Sequence, residues 1–399
     1  MSLQNTPSSE RLHIGFFGMR NAGKSSIVNA VTNQQLSVVS DVKGTTTDPV
    51  KKAMELLPLG PVVIIDTPGL DDEGTLGEMR VQKAKEVLSF TDIAVVVIDA
   101  QKGKSSQDIE LIDAIKERKL PYIIAYNKAD LLSETKKAND NEIYVSATTK
   151  ENINALKDML SNLSEKNKNE KPLISDLLTE GDLVVLVIPI DKAAPKGRLI
   201  LPQQLVMRDI LDHHCMCICC QDTELKNTLS MLSQKPKLII TDSQAFGKVA
   251  KDTPDDILMT SFSIIMARYK GDLSALVKGA KALENIKDND KILIAEGCTH
   301  HRQCNDIGSV KMPKWIENFT NSKPQYEFSS GASFPDNLNE YSLIVHCGGC
   351  MLNEKEMKNR MIKTDAINVP IVNYGVAIAH MHGILKRSLL PFENVNNLL

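Results

Sequence analysis

Gly18-Met19-Arg20-Asn21-Ala22-Gly23-Lys24-Ser25 fits the pattern G-x-x-x-x-G-K-S/T. An apolar run, HIGFF (13–17), leads into it and an amphipathic stretch over 25–33 follows. That strand–loop–helix setting is the one in which the pattern binds phosphate. Main-chain N–H groups of the loop ring the phosphates, and the helix N-terminus adds its positive dipole. Lys24 is placed to reach the β- and γ-phosphates and Ser25 to ligate Mg2+, with Asn21, Ala22, Gly23 and Ser26 in the same nucleotide-binding loop. The bland alternative, a glycine turn with a solvated lysine, weakens as the rest of the chain is read.

Working outward, VVIIDTPG (62–69), IAVVVIDA (93–100), PYIIAYNK (121–128) and EIYVSA (142–147) are near-continuous apolar runs separated by amphipathic stretches. Such runs suit strands covered on both faces, so a parallel sheet wrapped by helices is expected. Polar residues stand at the ends of these strands, where open α/β sheets bind ligands. Asp66-Thr67-Pro68-Gly69 offers a carboxylate to hold Mg2+ through water and an amide to sense the γ-phosphate. Asn127-Lys128-Ala129-Asp130 supplies the Asp130 carboxylate, which can accept from guanine N1–H and the exocyclic amine together; adenine offers no such donor pair. Ser146 and Ala147 would back the base. Gly44-Thr45-Thr46-Thr47-Asp48 places threonines where a switch segment belongs.

In this order over about residues 11–165, these motifs resemble the GTPases related to translation factors and to the tRNA-modifying GTPase TrmE. The resemblance implies Thr46 as the switch Mg2+ ligand, beside Ser25 and Asp66, and a catalytic set of Lys24, Thr46, Asp66 and Gly69. Leu70 stands where Ras-like enzymes carry the glutamine that orients water, and an aliphatic group cannot do that job. The potassium-activated members of this class use a phosphate-loop asparagine, matched by Asn21, to hold K+ against the phosphates in place of an arginine finger.

The chain has 399 residues, 42% apolar and 24% charged, with a formal net charge of −3. That balance argues against a strongly basic nucleic-acid binder. No apolar run approaches the ~18 residues of a membrane span. The segment MSLQNTPSSERLHIG carries no basic and then apolar leader, so a cytoplasmic protein with reduced thiols is expected. SEKNKNEKP (164–172) reads as a linker, and two further strand–helix series follow it. The expected organisation is a P-loop GTPase domain (1–168), a small dimerisation domain (175–262) whose sheet edges need covering, and a third α/β domain (263–399).

Eight cysteines remain to be placed. Cys298-Thr299-His300 follows the run 291–297, and His346-Cys347-Gly348-Gly349-Cys350 ends the run 341–347, so both emerge at one sheet edge. Three soft thiolates suit iron–sulfur chemistry or zinc, and inert core cysteines are the third option; spacing alone leaves all three open. Behind a GTPase domain, however, the pair of signatures resembles the [FeFe]-hydrogenase maturation GTPases. The resemblance covers the whole chain. It implies a [4Fe-4S] cluster on Cys298, Cys347 and Cys350, and a scaffold that passes a diiron precursor, assembled with two radical-SAM maturases, to apo-[FeFe]-hydrogenase. Three thiolates leave one iron open, with His300, His346 or Asp191 as fourth-ligand candidates. The competing function is a TrmE-like or ribosome-assembly GTPase acting on RNA with a structural zinc. In His213-His214-Cys215-Met216-Cys217-Ile218-Cys219-Cys220 the alternating cysteines share a strand face and are expected to be core rather than a metal site.

Overall fold

The Val/Ile runs form strands that are buried on both faces. A computed structural model describes residues 6–34, 49–69, 84, 86–134, 137–166, 171–190, 199–297, 306–331 and 334–396. The chain divides into two compact units, 1–169 and 170–399, and the division falls within the Lys/Asn/Glu-rich stretch.

The first unit holds β1 (Leu12–Phe17), β2 (Val50–Leu56), β3 (Gly60–Asp66), β4 (Ile93–Asp99), β5 (Tyr122–Asn127) and β6 (Glu142–Tyr144), in the order β2-β3-β1-β4-β5-β6. Five strands are parallel. The edge strand β2 runs antiparallel to β3 and has no counterpart in the sequence reading, because KKAMEL shows no apolar run. Three of its helices are α1 (Lys24–Thr32), α2 (Ser106–Glu117) and α3 (Ile153–Lys166). Alternate strand residues face opposite layers. Phe16, Ile64 and Val95 share one core with Ile27, Val28, Leu156 and Leu160, whereas Phe17, Ile65 and Val96 share another with Leu111, Ile112 and Ile115. A capping box fixes the start of α2: the Ser105 hydroxyl accepts from the Asp108 amide, and the Asp108 carboxylate accepts from the Ser105 amide.

The second unit contains two all-parallel four-stranded sheets. One is β7 (Leu183–Val187), β8 (Met216–Cys220), β9 (Leu238–Thr241) and β10 (Leu258–Ser261), in the order β10-β9-β7-β8. The other is β11 (Lys291–Glu296), β12 (Gln325–Ser330), β13 (Leu343–His346) and β14 (Ile371–Asn373), in the order β12-β11-β13-β14. The helices of this unit include α4 (Leu201–Asp212), α5 (Phe262–Lys270), α6 (Leu273–Ala280), α7 (Glu354–Asp365) and α8 (Tyr374–Met381). One continuous apolar core joins the sheets, running from Val185 and Ile239 through Phe262, Ile265 and Leu276 to Ile294, Val345 and Val376. Gly279 allows α6 to lie on β14, since an added Cβ would run into the Ile371 carbonyl.

The cysteine-rich strand departs from expectation. β8 is an edge strand, so only part of it is covered: Cys215 is buried just before it, Cys217 and Cys220 are half-buried, and Cys219 is exposed. The expectation of core cysteines therefore holds for Cys215, in part for Cys217, and is corrected for Cys219. Among the described residues no helix is long and apolar enough to cross a membrane.

Candidate nucleotide and metal sites

The phosphate loop takes a shape that its glycines permit. Gly18 and Gly23 have φ of +140° and +88°, and Asn21 has +57°, all outside the usual L-residue range. A Cβ on Gly18 would strike the Val97 carbonyl oxygen, and one on Gly23 the Asn127 amide. The Lys24 ammonium donates to the carbonyls of Gly18 (3.0 Å) and Met19 (2.9 Å), which holds it across the loop mouth. Ser25 Oγ donates to Asp66 Oδ2 at 2.7 Å. Asp66 Oδ1 is buried and has no hydrogen-bond partner among the described residues. A hydroxyl joined to a carboxylate with one oxygen unmatched is a donor set that suits a divalent cation. Gly69 closes on the same loop: a Cβ there would sit 2.9 Å from Arg20 Cα. Ser26 lies in the first turn of α1. Thr46 and Leu70 lie outside the described residues.

The base-recognition motifs converge through Asn127. Its Nδ2 donates to the Ala22 carbonyl (3.0 Å), and its Oδ1 accepts from the Ala147 amide (3.1 Å). One side chain thus ties the phosphate loop to the segment after β6. Ser146 is fully buried, and its hydroxyl accepts from the Thr149 amide. Lys128 has φ of +67°, and the following turn leaves Asp130 exposed. The sequence reading missed the partner of Lys128: its ammonium pairs with Asp99 Oδ2 at 2.6 Å. Burial pushes the Asp99 carboxyl up, but the Lys128 bond, the Gln101 amide and Lys102 outweigh it and hold the group below the usual carboxylate range. The signal was the polar residue closing the run IAVVVIDA (93–100).

At the second site, the loop after β13 turns its amides toward sulfur. Cys347 Sγ accepts from Gly297 N (3.1 Å) and Gly349 N (3.4 Å), and Gly349 has φ of +63°. Burial pushes the Cys347 thiol up to about 11 despite those two amides, and burial raises Cys350 against the pull of Lys270. Burial thus favours the protonated thiol of both. Two N–H donors on one sulfur are suited to a thiolate, the form that binds metal. Gly297, which immediately precedes Cys298 in the sequence, thus joins the end of β11 to the loop after β13. Cys298, His300 and Cys304 lie outside the described residues, as does Asp191. Among the described residues no three metal-binding side chains gather at one point.

His346 is fully buried, with Nδ1 2.8 Å from the Cys347 carbonyl and Nε2 3.0 Å from Arg360 Nη1. Burial and Arg360 lower its pKa to about 3. The neutral ring therefore donates from Nδ1 and accepts at Nε2, and in this arrangement neither nitrogen is open to a metal. Arg360 is itself buried on α7 and also donates to Gly331 O (2.6 Å) and Glu356 Oε1 (3.0 Å). The Asn353 side chain caps α7 by accepting from the Glu356 amide at 2.9 Å. Sequence reasoning missed Arg360 and Lys270. Lys270 ends an otherwise mostly apolar helix and Arg360 lies in a highly charged one, and the role of each is visible only once its buried partners are known.

Family models match three segments of the chain. Residues 13–128 match a family described as 50S ribosome-binding GTPase, residues 173–271 the hydrogen maturase F dimerization domain, and residues 274–391 the hydrogen maturase F tetramerization domain. The tRNA modification GTPase MnmE of Clostridioides difficile is 31% identical over 175 residues, covering 41% of this chain and 38% of that protein. GTPase Der of Mycoplasmopsis pulmonis is 30% identical over 204 residues, covering 45% and 46%. The chain thus spans less than half the length of these relatives. A structure of Aquifex aeolicus Era bound to GDP and an aluminium fluoride aligns with 52% of this chain and 92% of that one, at 18% identity and a TM-score of 0.36.

Proposed function

The chain belongs to the hydrogen maturase F family of GTPases, and from that premise we propose that it is a GTP-hydrolysing scaffold that carries a [4Fe-4S] cluster and delivers a diiron precursor to apo-[FeFe]-hydrogenase. The observation that carries the reading is the Gly297 amide on Cys347 Sγ, because it joins the strand end before Cys298 to the loop bearing Cys347 and Cys350. Those three cysteines would hold the cluster. Two amides aimed at one sulfur, a buried setting and soft donors fit an iron–sulfur centre. The cluster would supply an iron without a cysteine ligand, to which a metal fragment can attach. Since both His346 nitrogens are engaged, His300 and Asp191 are the remaining fourth-ligand candidates.

At the nucleotide site, Lys24 neutralises phosphate charge, Ser25, Asp66 and Thr46 hold Mg2+, and the Gly69 amide reports the γ-phosphate to the switch segments. Asn127, Lys128, Asp130, Ser146 and Ala147 select guanine. K+ held at Asn21 takes the place of an arginine finger. Two radical-SAM maturases and the apo-hydrogenase are the proposed partners.

The dimerization and tetramerization domains make the chain a homo-oligomer. In the first sheet of the second unit, β10 is covered by the helix Leu385–Leu389, whereas β8 presents Met216-Cys217-Ile218-Cys219-Cys220 at an edge without charge, proline or glycine. Such an edge invites pairing with another copy.

The test is anaerobic reconstitution of the wild-type protein beside a Cys298/Cys347/Cys350 triple-alanine variant. Wild type is expected to bind iron and sulfide in equal amounts and turn brown, and the variant to bind neither. Colourless wild-type protein containing zinc would overturn the reading.

A further inference from the structure

Lys270 ends α5 with its side chain 2% exposed. Its ammonium donates to the carbonyl oxygens of Leu352 (2.9 Å) and Cys350 (3.2 Å). Burying an ammonium is costly unless its new interactions offset the lost hydration, so a solvent-facing lysine would be the default at a helix end. The helix does not need the side chain as a cap either, because the Gly271 amide already closes the last turn onto the Ala267 carbonyl (3.0 Å). The ammonium therefore serves the loop that follows β13.

That loop has a consistent polarity. Its amides turn toward the sulfurs, as at Gly349. Its carbonyls turn away, onto His346 in the case of Cys347 and onto Lys270 in the cases of Cys350 and Leu352. A cation gripping the carbonyl side of such a loop both sets the loop's orientation and places positive charge beside Cys350. Lys270 belongs to the segment that matches the dimerization domain, whereas Cys350 belongs to the segment that matches the tetramerization domain. The positive charge is thus contributed across the boundary between two inherited modules.

We propose that Lys270 is a positioning residue and counter-charge for the metal centre on Cys347 and Cys350, fixing the loop through two carbonyls and raising the reduction potential of the bound cluster. The inference rests on the cluster reading above. Reduction adds an electron to a centre already made anionic by its thiolates, and net charge and hydrogen bonding near the sulfurs set its potential. A buried cation bonded to the carbonyl of a cysteine ligand favours the reduced state because little solvent screens it.

Four full-length proteins test it after anaerobic reconstitution: wild type, Lys270→Arg, Lys270→Gln and Lys270→Met. Circular dichroism and oligomer size verify folding. The readouts are the midpoint potential, by potentiometric titration followed by electron paramagnetic resonance, and the rate of iron loss to a chelator. Lys270→Gln keeps an N–H donor on a shorter side chain but has no charge. It is expected to shift the potential to more negative values, with chelator release accelerated about tenfold, while Lys270→Arg stays close to wild type. Lys270→Met is expected to lose iron faster still, and if it fails to fold, the Gln and Arg variants decide. Unchanged potential and release in Lys270→Gln would overturn the counter-charge role while leaving the cluster reading intact. Wild-type protein without iron and sulfide would instead sink the underlying reading, and this inference with it.

Discussion

The phosphate loop and the cysteine loop both turn through residues of positive φ, yet they are assembled in opposite ways. The phosphate loop is one contiguous segment whose shape is dictated by residues inside it: Gly18, Asn21 and Gly23 adopt positive φ, and Lys24 folds back onto the carbonyls of Gly18 and Met19. The cysteine site is a convergence. Gly297 arrives from β11, Cys347 and Cys350 from the end of β13, Arg360 from α7 and Lys270 from α5. A site of the first kind depends on local conformational freedom. One of the second kind depends on tertiary packing, and damage to the core reaches it from several directions.

The contrast can be broken by separating the two chemistries. Lys24→Ala removes the cation proposed to meet the phosphates and is expected to lower GTP turnover by about 10³-fold, leaving reconstituted iron content unchanged. Steady-state phosphate release and iron analysis on the same sample decide it, and loss of iron would show that the sites are not independent. The converse change is Ile294→Ala, in the core of β11. It should cost roughly 2–5 kcal/mol and lower iron retention, while GTP turnover by the first unit stays near wild type. Denaturant titration gives the first quantity and iron analysis the second.

Exchanging K+ for Na+ sharpens the comparison within the nucleotide site. Turnover is expected to fall by about 10²-fold, part of what an arginine finger supplies, with GDP affinity nearly constant. Equal rates in the two salts would remove Asn21 from a cation-holding role. The smallest effect is expected at Asp99. Its carboxyl is held below the usual range in the folded chain. The stability it contributes is therefore fully present above the unfolded-state value and is lost as pH falls through the lower folded value. Asp99→Asn should reduce stability by about 1 kcal/mol or less at neutral pH, and its thermal midpoint should converge with that of wild type under acid. A gap that persists at low pH would mean that the Lys128 pair is not its source.

How much of this was legible depended on the length scale of the cause. The phosphate loop, Asp66-Thr67-Pro68-Gly69 and Asn127-Lys128-Ala129-Asp130 were readable because each couples a β-run to a short polar segment. Strands β2, β10 and β12 were not, since KKAMEL, LMTS and QYEFSS carry little apolar periodicity and are held by main-chain pairing to better-marked neighbours. The alternation of Cys215, Cys217 and Cys219 was visible, but the position of β8 at a sheet edge was not, and the edge decides which thiols meet water. The pairing of Lys128 with Asp99 and of Lys270 with Cys350 and Leu352 joins residues far apart along the chain, and nothing local marks such partners.

The single apolar core beneath both sheets of the second unit has a consequence for inheritance. Cutting the chain between residues 271 and 274, where one family module ends and the next begins, would leave Phe262 and Leu276 on separate pieces, each baring a greasy flank to water. Neither piece could be shuffled into a new gene and be expected to stand alone. The two modules have to drift, duplicate or disappear together.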